Sequence, residues 1–118
     1  MLRQQKGLLP LKALVANNLG CVLRKRQEWS AAGRYHQQSI NLYRQIGNKL
    51  MLANAIGNFA KLYKLQRRYP EALRYFDEAM ALAVQFPDNI WAKERLADFA
   101  KNKTELIREM EGIGMTSS

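Results

Sequence analysis

Residues 69–82 have the sequence YPEALRYFDEAMAL, in which apolar and small side chains recur every three or four positions. The larger members of this set include Tyr69, Phe76 and Met80, and alanines lie between them. Such spacing places one apolar stripe along an α-helix. Pro70 fits the first turn of that helix, where the N–H that proline lacks would have no intrahelical partner. The segment therefore predicts an amphipathic helix that packs against another element.

Helical spacing continues through the rest of the chain, and no segment alternates apolar and polar residues for long enough to predict a strand. Gly7 and Gly47 are predicted to end helices in the left-handed conformation, with Asn48 as the N-cap of the next helix. Pro10 fits a first helical turn. Pro87 is predicted to break a helix, and the aspartate that follows it to cap the last one. The predicted helices span residues 8–26, 29–45, 48–66, 69–86 and 88–111.

The sequence repeats itself with a period of 40 residues. Small and large side chains recur at the same places in each copy, which predicts a helix–turn–helix pair as the repeating unit. One such pair cannot bury its apolar faces alone, so consecutive pairs are expected to stack. A further shift maps Phe59 to Phe99. The positions matched 40 residues later are Leu2, Gln5, Gly7, Ala13, Asn18, Leu19, Leu23, Trp29, Ala32, Arg34, Tyr35 and Leu42.

These residues resemble the tetratricopeptide repeat (TPR) family, whose signature places aromatic and small residues at fixed offsets. The resemblance covers residues 5–111. It implies an all-α fold, a right-handed helical solenoid of antiparallel helix pairs with a C-terminal capping helix. The signature positions of the first copy are Ala16, Leu19, Gly20, Leu23, Trp29, Ala32, Tyr35 and Ser39. Those of the second copy are Ile56, Phe59, Ala60, Tyr63, Tyr69, Ala72, Tyr75, Phe76 and Ala79.

The period is longer than the ~34 residues usual in this family, and no proline closes a repeat at Arg44 or Val84. The chain thus resembles the long-repeat variety of kinesin light chains and of bacterial signalling ATPases and transcription regulators. It is accordingly expected to be part of a larger regulatory protein. The expected parts are the end of a preceding helix (1–7), repeat 1 (8–46), repeat 2 (47–86), a capping helix (87–111) and a disordered tail (112–118).

The charge of the chain constrains its partners. The 118 residues carry a formal net charge of +9, and residues 1–87 hold 14 basic side chains against 4 acidic ones. Such an excess leaves acidic proteins, nucleic acids and anionic membrane surfaces open. No apolar run approaches the ~18–20 residues of a membrane span, and no signal-peptide pattern is present. A single cysteine, Cys21, excludes an internal disulfide and fits a reducing compartment. We therefore expect a cytoplasmic protein that does not bind membranes.

The sequence contains little that would support catalysis. His36 is the only histidine, and it takes a repeat position where an aromatic ring is expected, so we interpret it as a core residue and not a functional one. Cys21 has no second thiol at metal or redox spacing, although a reactive thiol on the groove side of its helix is the alternative. No phosphate-binding loop or dinucleotide fingerprint occurs. We expect no enzyme activity, no catalytic residue, no cofactor and no metal site.

By resemblance to the family, the first helix of each pair lines a concave groove that holds a peptide. Cations on neighbouring turns favour an acidic peptide or domain, because carboxylates form charge-assisted hydrogen bonds with them. A solvated face of long side chains is the alternative. The family's carboxylate clamp is not expected, since only Asn58 matches it. The predicted groove residues are Asn17, Cys21, Arg24, Lys25, Asn54, Lys61, Lys64 and Lys101.

Two further kinds of partner stay open at this point. A basic edge at the turns inside both pairs is suited to nucleic-acid phosphates, but no known nucleic-acid-binding motif accompanies it. Nucleic acid is therefore the less favoured partner. A homodimer through the N-terminal end is the other alternative, in which a second chain would bury Leu2, Leu8 and Leu9. The predicted edge residues are Arg26, Arg67 and Arg68.

Overall fold

The chain folds into five α-helices. A computed structural model describes the backbone of residues 2–114 and the side chains of residues 7–114. The helices are α1 (Leu2–Lys25), α2 (Trp29–Ile46), α3 (Lys49–Leu65), α4 (Tyr69–Ala83) and α5 (Ile90–Gly112). They pack as sequential pairs with a further helix at the C-terminal end, so the predicted all-α array of helix pairs is confirmed.

Contacts between the helices define two layers. Each helix packs most extensively on its neighbours in sequence, with the closest associations between α1 and α2 and between α3 and α4. Smaller contacts join α1 to α3 and α3 to α5. The first helices of the two pairs, α1 and α3, therefore lie side by side with α5, which takes the place of a third first helix. The second helices, α2 and α4, lie behind them.

Small residues allow the close packing of these layers. Ala32 and Ala72, forty residues apart, are both fully buried. A Cβ placed on Gly57 would lie 2.1 Å from the Phe99 ring, which shows how closely α5 approaches α3. Phe76 and Phe99 are fully buried between the last helices, and burying one phenylalanine contributes about 1.5–3 kcal/mol.

The two turns inside the helix pairs reproduce the repeat in backbone geometry. Gln27 and Arg67, which are forty residues apart, both have φ near 61°. In each turn the following N–H reaches back to close the preceding helix: that of Glu28 bonds the carbonyl of Leu23, and that of Arg68 bonds the carbonyl of Tyr63. This is the left-handed C-terminal cap, here made by residues other than glycine. The internal repeat therefore extends to the backbone itself.

Several predicted boundaries are confirmed. Gly47 ends α2 with φ 82°, and its N–H bonds the carbonyls of Tyr43 and Arg44. The side chain of Asn48 accepts a hydrogen bond from the Met51 N–H at 3.0 Å and so caps α3. Pro70 lies in the first turn of α4.

Other boundaries were predicted wrongly. Gly7 does not end a helix, and α1 runs from Leu2 through Pro10 to Lys25. Gly7 is absent from the left-handed residues of the described chain, and the missing N–H of Pro10 costs α1 a single backbone hydrogen bond. The cap of α5 is Asn89, which accepts from the Ala92 N–H at 2.8 Å, and not the preceding aspartate. The disordered tail was predicted for residues 112–118, of which 115–118 lie outside the described part.

Candidate functional site

The first helices meet through a set of polar contacts. Between α1 and α3, the amide of Asn58 donates to the Asn17 side chain at 3.1 Å. The Arg24 guanidinium donates to the backbone carbonyl of Asn58, also at 3.1 Å. Asn17 and Asn58 are buried. Asn17, predicted as a groove residue, thus forms a buried contact between helices, while Arg24 is half-buried beside it.

Two of the predicted groove cations are paired with α5. The Lys61 ammonium lies 2.6 Å from the Asp98 carboxylate, and that of Lys64 lies 2.7 Å from Glu105. Lys64 also donates to the Asn102 side chain at 3.3 Å. The hydrogen bond that Lys64 donates to Glu105, together with the Lys64 charge, lowers the pKa of the Glu105 carboxyl. The last helix therefore neutralises much of the positive charge that the sequence assigns to α3.

The remaining groove residues are accessible to different degrees. Cys21 and Asn54 are half-buried, whereas Lys25 and Lys101 are exposed. Within residues 7–114, neither exposed lysine has a carboxylate at ion-pairing distance. We call this surface the first-helix face, made of Cys21, Arg24, Lys25, Asn54, Lys61, Lys64 and Lys101.

Asn102 on α5 is a polar contact residue that the sequence did not predict. Asn102 bonds Lys64 and also donates to the backbone carbonyl of Asp98 at 2.9 Å. The spacing along the sequence does indicate a polar side of α5, with helical intervals of four and three residues between Asp98, Asn102 and Glu105. The spacing alone does not identify their partners, which lie on α3.

The predicted basic edge is partly neutralised within its own turns. Arg26 lies 3.3 Å from Glu28, and Arg68 lies 2.7 Å from Glu71. Arg68 also covers the Tyr63 ring at 4.7 Å. Arg67 is exposed at its left-handed position and forms no ion pair with any described residue. The edge thus offers one unpaired arginine where the sequence predicts three.

His36 is a core residue, as predicted. It is fully buried, its ring lies 6.4 Å from that of Phe59, and a Cβ on Gly20 would come within 2.7 Å of it. Burial, together with the nearby Arg24 charge, lowers its pKa from 6.5 to about 4. Neither ring nitrogen has a hydrogen-bond partner in the described structure. A neutral ring packed in this way has no access to a ligand.

A second surface lies on the outer side of α1. Apolar side chains one or two turns apart are exposed there, with Leu11 at 55%, Val15 at 47% and Val22 at 51%. Leu11 and Val15 border an open groove of about 510 Å³ between α1 and α2. Of the residues predicted to be buried in a homodimer, Leu8 is exposed and Leu9 half-buried, and the side chain of Leu2 lies outside the described part.

Charge is distributed unevenly along the array. Residues 1–65, the part of the sequence that contains α1 to α3, hold 11 basic side chains and a single acidic one, Glu28. Residues 66–118 hold 8 basic and 9 acidic side chains. The excess of positive charge therefore lies at the N-terminal end of the array. Dividing the chain after residue 65 separates this excess more clearly than dividing it after residue 87.

Comparison with known proteins agrees with this architecture. The model of the tetratricopeptide repeat family matches residues 11–84, which comprise most of α1 and all of α2 to α4. No curated protein shows significant similarity to the chain. Over residues 2–114, no helix is both long and apolar enough to cross a membrane. The family is typically non-catalytic and its repeats bind other proteins. With more than half of its length matched, the chain belongs to the tetratricopeptide repeat family.

Proposed function

We propose that the chain is a non-enzymatic interaction module, within a larger regulatory protein, that holds an acidic peptide or domain on its first-helix face. The observation that carries this proposal is the charge of the N-terminal helices, with one acidic residue among the first 65. A carboxylate-rich segment is the complement of such a surface, and charge complementarity favours its encounter and orientation.

The pairing within the first-helix face supports a particular placement of the ligand. Lys61 and Lys64 already have carboxylate partners from α5, so an acidic segment gains less from them than from unpaired cations. Lys25 and Lys101 are exposed and lie on α1 and α5. The ligand is therefore expected to cross the three first helices, with these two lysines toward its ends.

Charge reversal at the unpaired lysines tests this proposal without breaking an internal ion pair. A fluorescent Glu-rich peptide and its Gln counterpart serve as probes for the wild type and for a Lys25→Glu, Lys101→Glu variant. The matched control is Lys93→Glu, an exposed lysine of α5 beside the end of α4. The Glu-rich peptide should bind more tightly than the Gln peptide. The double variant should lose about fivefold or more of that binding, since each exposed ion pair contributes up to ~1 kcal/mol.

Other results count against the proposal. Equal affinity for the two peptides, or equal losses in the double variant and the control, would show that the first-helix face does not select acidic ligands. A DNA duplex in the same assay measures the nucleic-acid alternative, which predicts a steep dependence on salt and sensitivity to Arg67→Glu. That alternative has less support, because Arg26 and Arg68 are already paired with carboxylates.

A further inference from the structure

The outer side of α1 carries an apolar stripe that nothing in the described chain covers. We call Leu8, Leu11, Val15, Leu19 and Val22 the α1 stripe, and each is between 39% and 55% exposed. Their spacing of three or four residues places them along one side of the helix. With Tyr35 and Gln38 of α2, most of the stripe lines the groove of about 510 Å³.

The second copy shows what such a stripe packs against. The α3 residues equivalent to Val15, Leu19 and Val22 are Ala55, Phe59 and Leu62, all at most 5% exposed. The helix that covers them is α2. A Cβ on Gly33 would lie 3.7 Å from Leu62, and the His36 ring faces Phe59 at 6.4 Å.

The covering helix also reaches the second helix of the pair. The Arg44 guanidinium of α2 lies 3.1 Å from Glu78 of α4. Helix α2 thus packs along α3 and reaches α4 through this ion pair, and the groove between α1 and α2 is the open equivalent of the surface that it covers. An α-helix is the shape that this surface accommodates.

The open groove differs in charge from the equivalent surface of the second copy, because one repeat position carries a different residue. Lys12 is exposed and lines it, whereas the equivalent residue of the second copy is Leu52, half-buried against the core. Within residues 7–114 Lys12 has no carboxylate at ion-pairing distance. A helix docked in the open groove therefore meets an unpaired cation at its apolar surface.

We infer that the groove between α1 and α2 binds one amphipathic helix of a partner protein, in the position on α1 that α2 takes on α3. The apolar face of that helix covers the α1 stripe, and a carboxylate on it pairs with Lys12. This surface lies on a different side of α1 from Cys21 and Arg24 of the first-helix face, and the residues varied to test it, Lys12 and Val15, lie at least ten residues from Lys25. The inference can therefore fail while the proposed function stands, and the reverse also holds.

A second copy of the chain is a poorer occupant. Both second helices are already covered, α2 by α1 and α3, and α4 by α3 and α5. Pairing two α1 helices would bring only like charges together, because residues 2–25 contain no acidic side chain. Charge complementarity thus favours a partner helix that carries carboxylates.

The helix that covers α3 supplies the probes for a test. The first peptide has the sequence of residues 29–46, and the second carries Glu in place of Arg44, because Arg44 pairs with Glu78, and the equivalent of Glu78 is Gln38, which lines the open groove with Lys12. Fluorescence anisotropy measures their binding to the full chain and to three variants: Val15→Glu in the α1 stripe, Lys12→Leu, and a matched control, Val84→Glu. Val84 is a comparably exposed valine at the end of α4, 55% against 47% for Val15.

The acidic peptide should bind the wild type about fivefold more tightly than the unmodified one at low salt. Lys12→Leu should remove this preference, because it removes the cation. It should keep binding of the unmodified peptide, because leucine is the residue at the equivalent position of the second copy, Leu52. Val15→Glu should abolish binding of both peptides, and Val84→Glu should leave both unchanged. Circular dichroism of the Val15→Glu variant reports whether the fold is retained, and Leu11→Gln provides a milder second change in the stripe.

Several outcomes would overturn the inference. These are no binding of either peptide, equal affinity of the wild type for both, and a preference that survives Lys12→Leu. Sedimentation that shows a dimer sensitive to Val15→Glu would assign the groove to a second copy. Binding to phosphatidylserine vesicles that is lost in the same variant would assign the α1 stripe to a lipid surface.

Discussion

Lys64 and Glu105 are 41 residues apart in the sequence, and their side chains form an ion pair of 2.7 Å that joins α3 to α5. The lysine side chain is 13% exposed and the glutamate 45%. Together with the pair of Lys61 and Asp98, this contact places carboxylates of one first helix on cations of another. The molecule thus contains its own example of the acidic complement that we propose for a partner.

Charge reversal of this pair should be destabilising in single variants and compensated in the double variant. Lys64→Glu places an acidic group against Glu105, and Glu105→Lys leaves two cations in contact. Each is expected to lower the free energy of unfolding by up to about 1 kcal/mol, the upper range for a partly exposed pair. Urea denaturation of the two single variants and the swapped double variant measures the coupling. Strictly additive losses would show that the pair contributes nothing to stability.

Stability should fall on mild acidification because of His36. Its pKa is about 4 in the folded protein against 6.5 when unfolded, so between these values the unfolded state binds more protons and stability decreases as the pH falls. From pH 7 to pH 5 the loss from this group is about 2 kcal/mol. His36→Phe carries the residue found at Phe76 in the second copy, and it should remove this part of the pH dependence.

The measurement for His36 is urea unfolding at pH 7 and at pH 5. His36→Leu gives a second apolar replacement of smaller volume, in case the phenylalanine ring is too large beside Gly20. If both variants lose as much stability as the wild type between the two pH values, the ring does not titrate as proposed.

Replacing Gly57 by alanine should loosen the last helix. Its Cβ would lie 2.1 Å from the Phe99 ring, and overpacking of this kind typically costs about 1–3 kcal/mol. Gly7→Ala is the matched control, because Gly7 lies inside α1 with nothing within 4 Å of an added Cβ. There the same change is expected to be neutral or to stabilise by up to about 1 kcal/mol. Thermal unfolding of both variants gives the comparison, and Gly57→Ala with Phe99→Leu should recover part of the loss.

The cap of α3 gives a local test of the link between the two pairs. Asn48→Ala removes the acceptor for the Met51 N–H and should cost about 1 kcal/mol. Asn48→Asp keeps an acceptor at the same place and should preserve most of the stability. Equal losses in the two variants, measured by urea unfolding, would argue that the cap is not the source of the effect.

Much of the fold could be predicted because the determinants are local and repeated. Gly47, Asn48 and Pro70 act through their own backbone geometry, so their roles are visible in the sequence. The same rules applied to Gly7 and Pro10 predict a wrong start for α1, which begins at Leu2. Both residues tolerate an alternative: glycine can remain right-handed, and a proline can lie within a helix at the cost of a backbone hydrogen bond. A local signal of this kind permits a helix end but does not require one.

The sequence by itself determined the helix pairs, their period of 40 residues, the core position of His36 and the excess of positive charge. Only the tertiary structure decided which cations stay unpaired, because the partner of Lys64 lies 41 residues away on a helix whose rotation is fixed by packing. It also decided that Val15 is exposed while Ala55, the same position in the repeat, is buried. The sequence pattern of a helix predicts which side is apolar. Whether that side is buried depends on a neighbouring element, which the pattern of the helix itself does not identify.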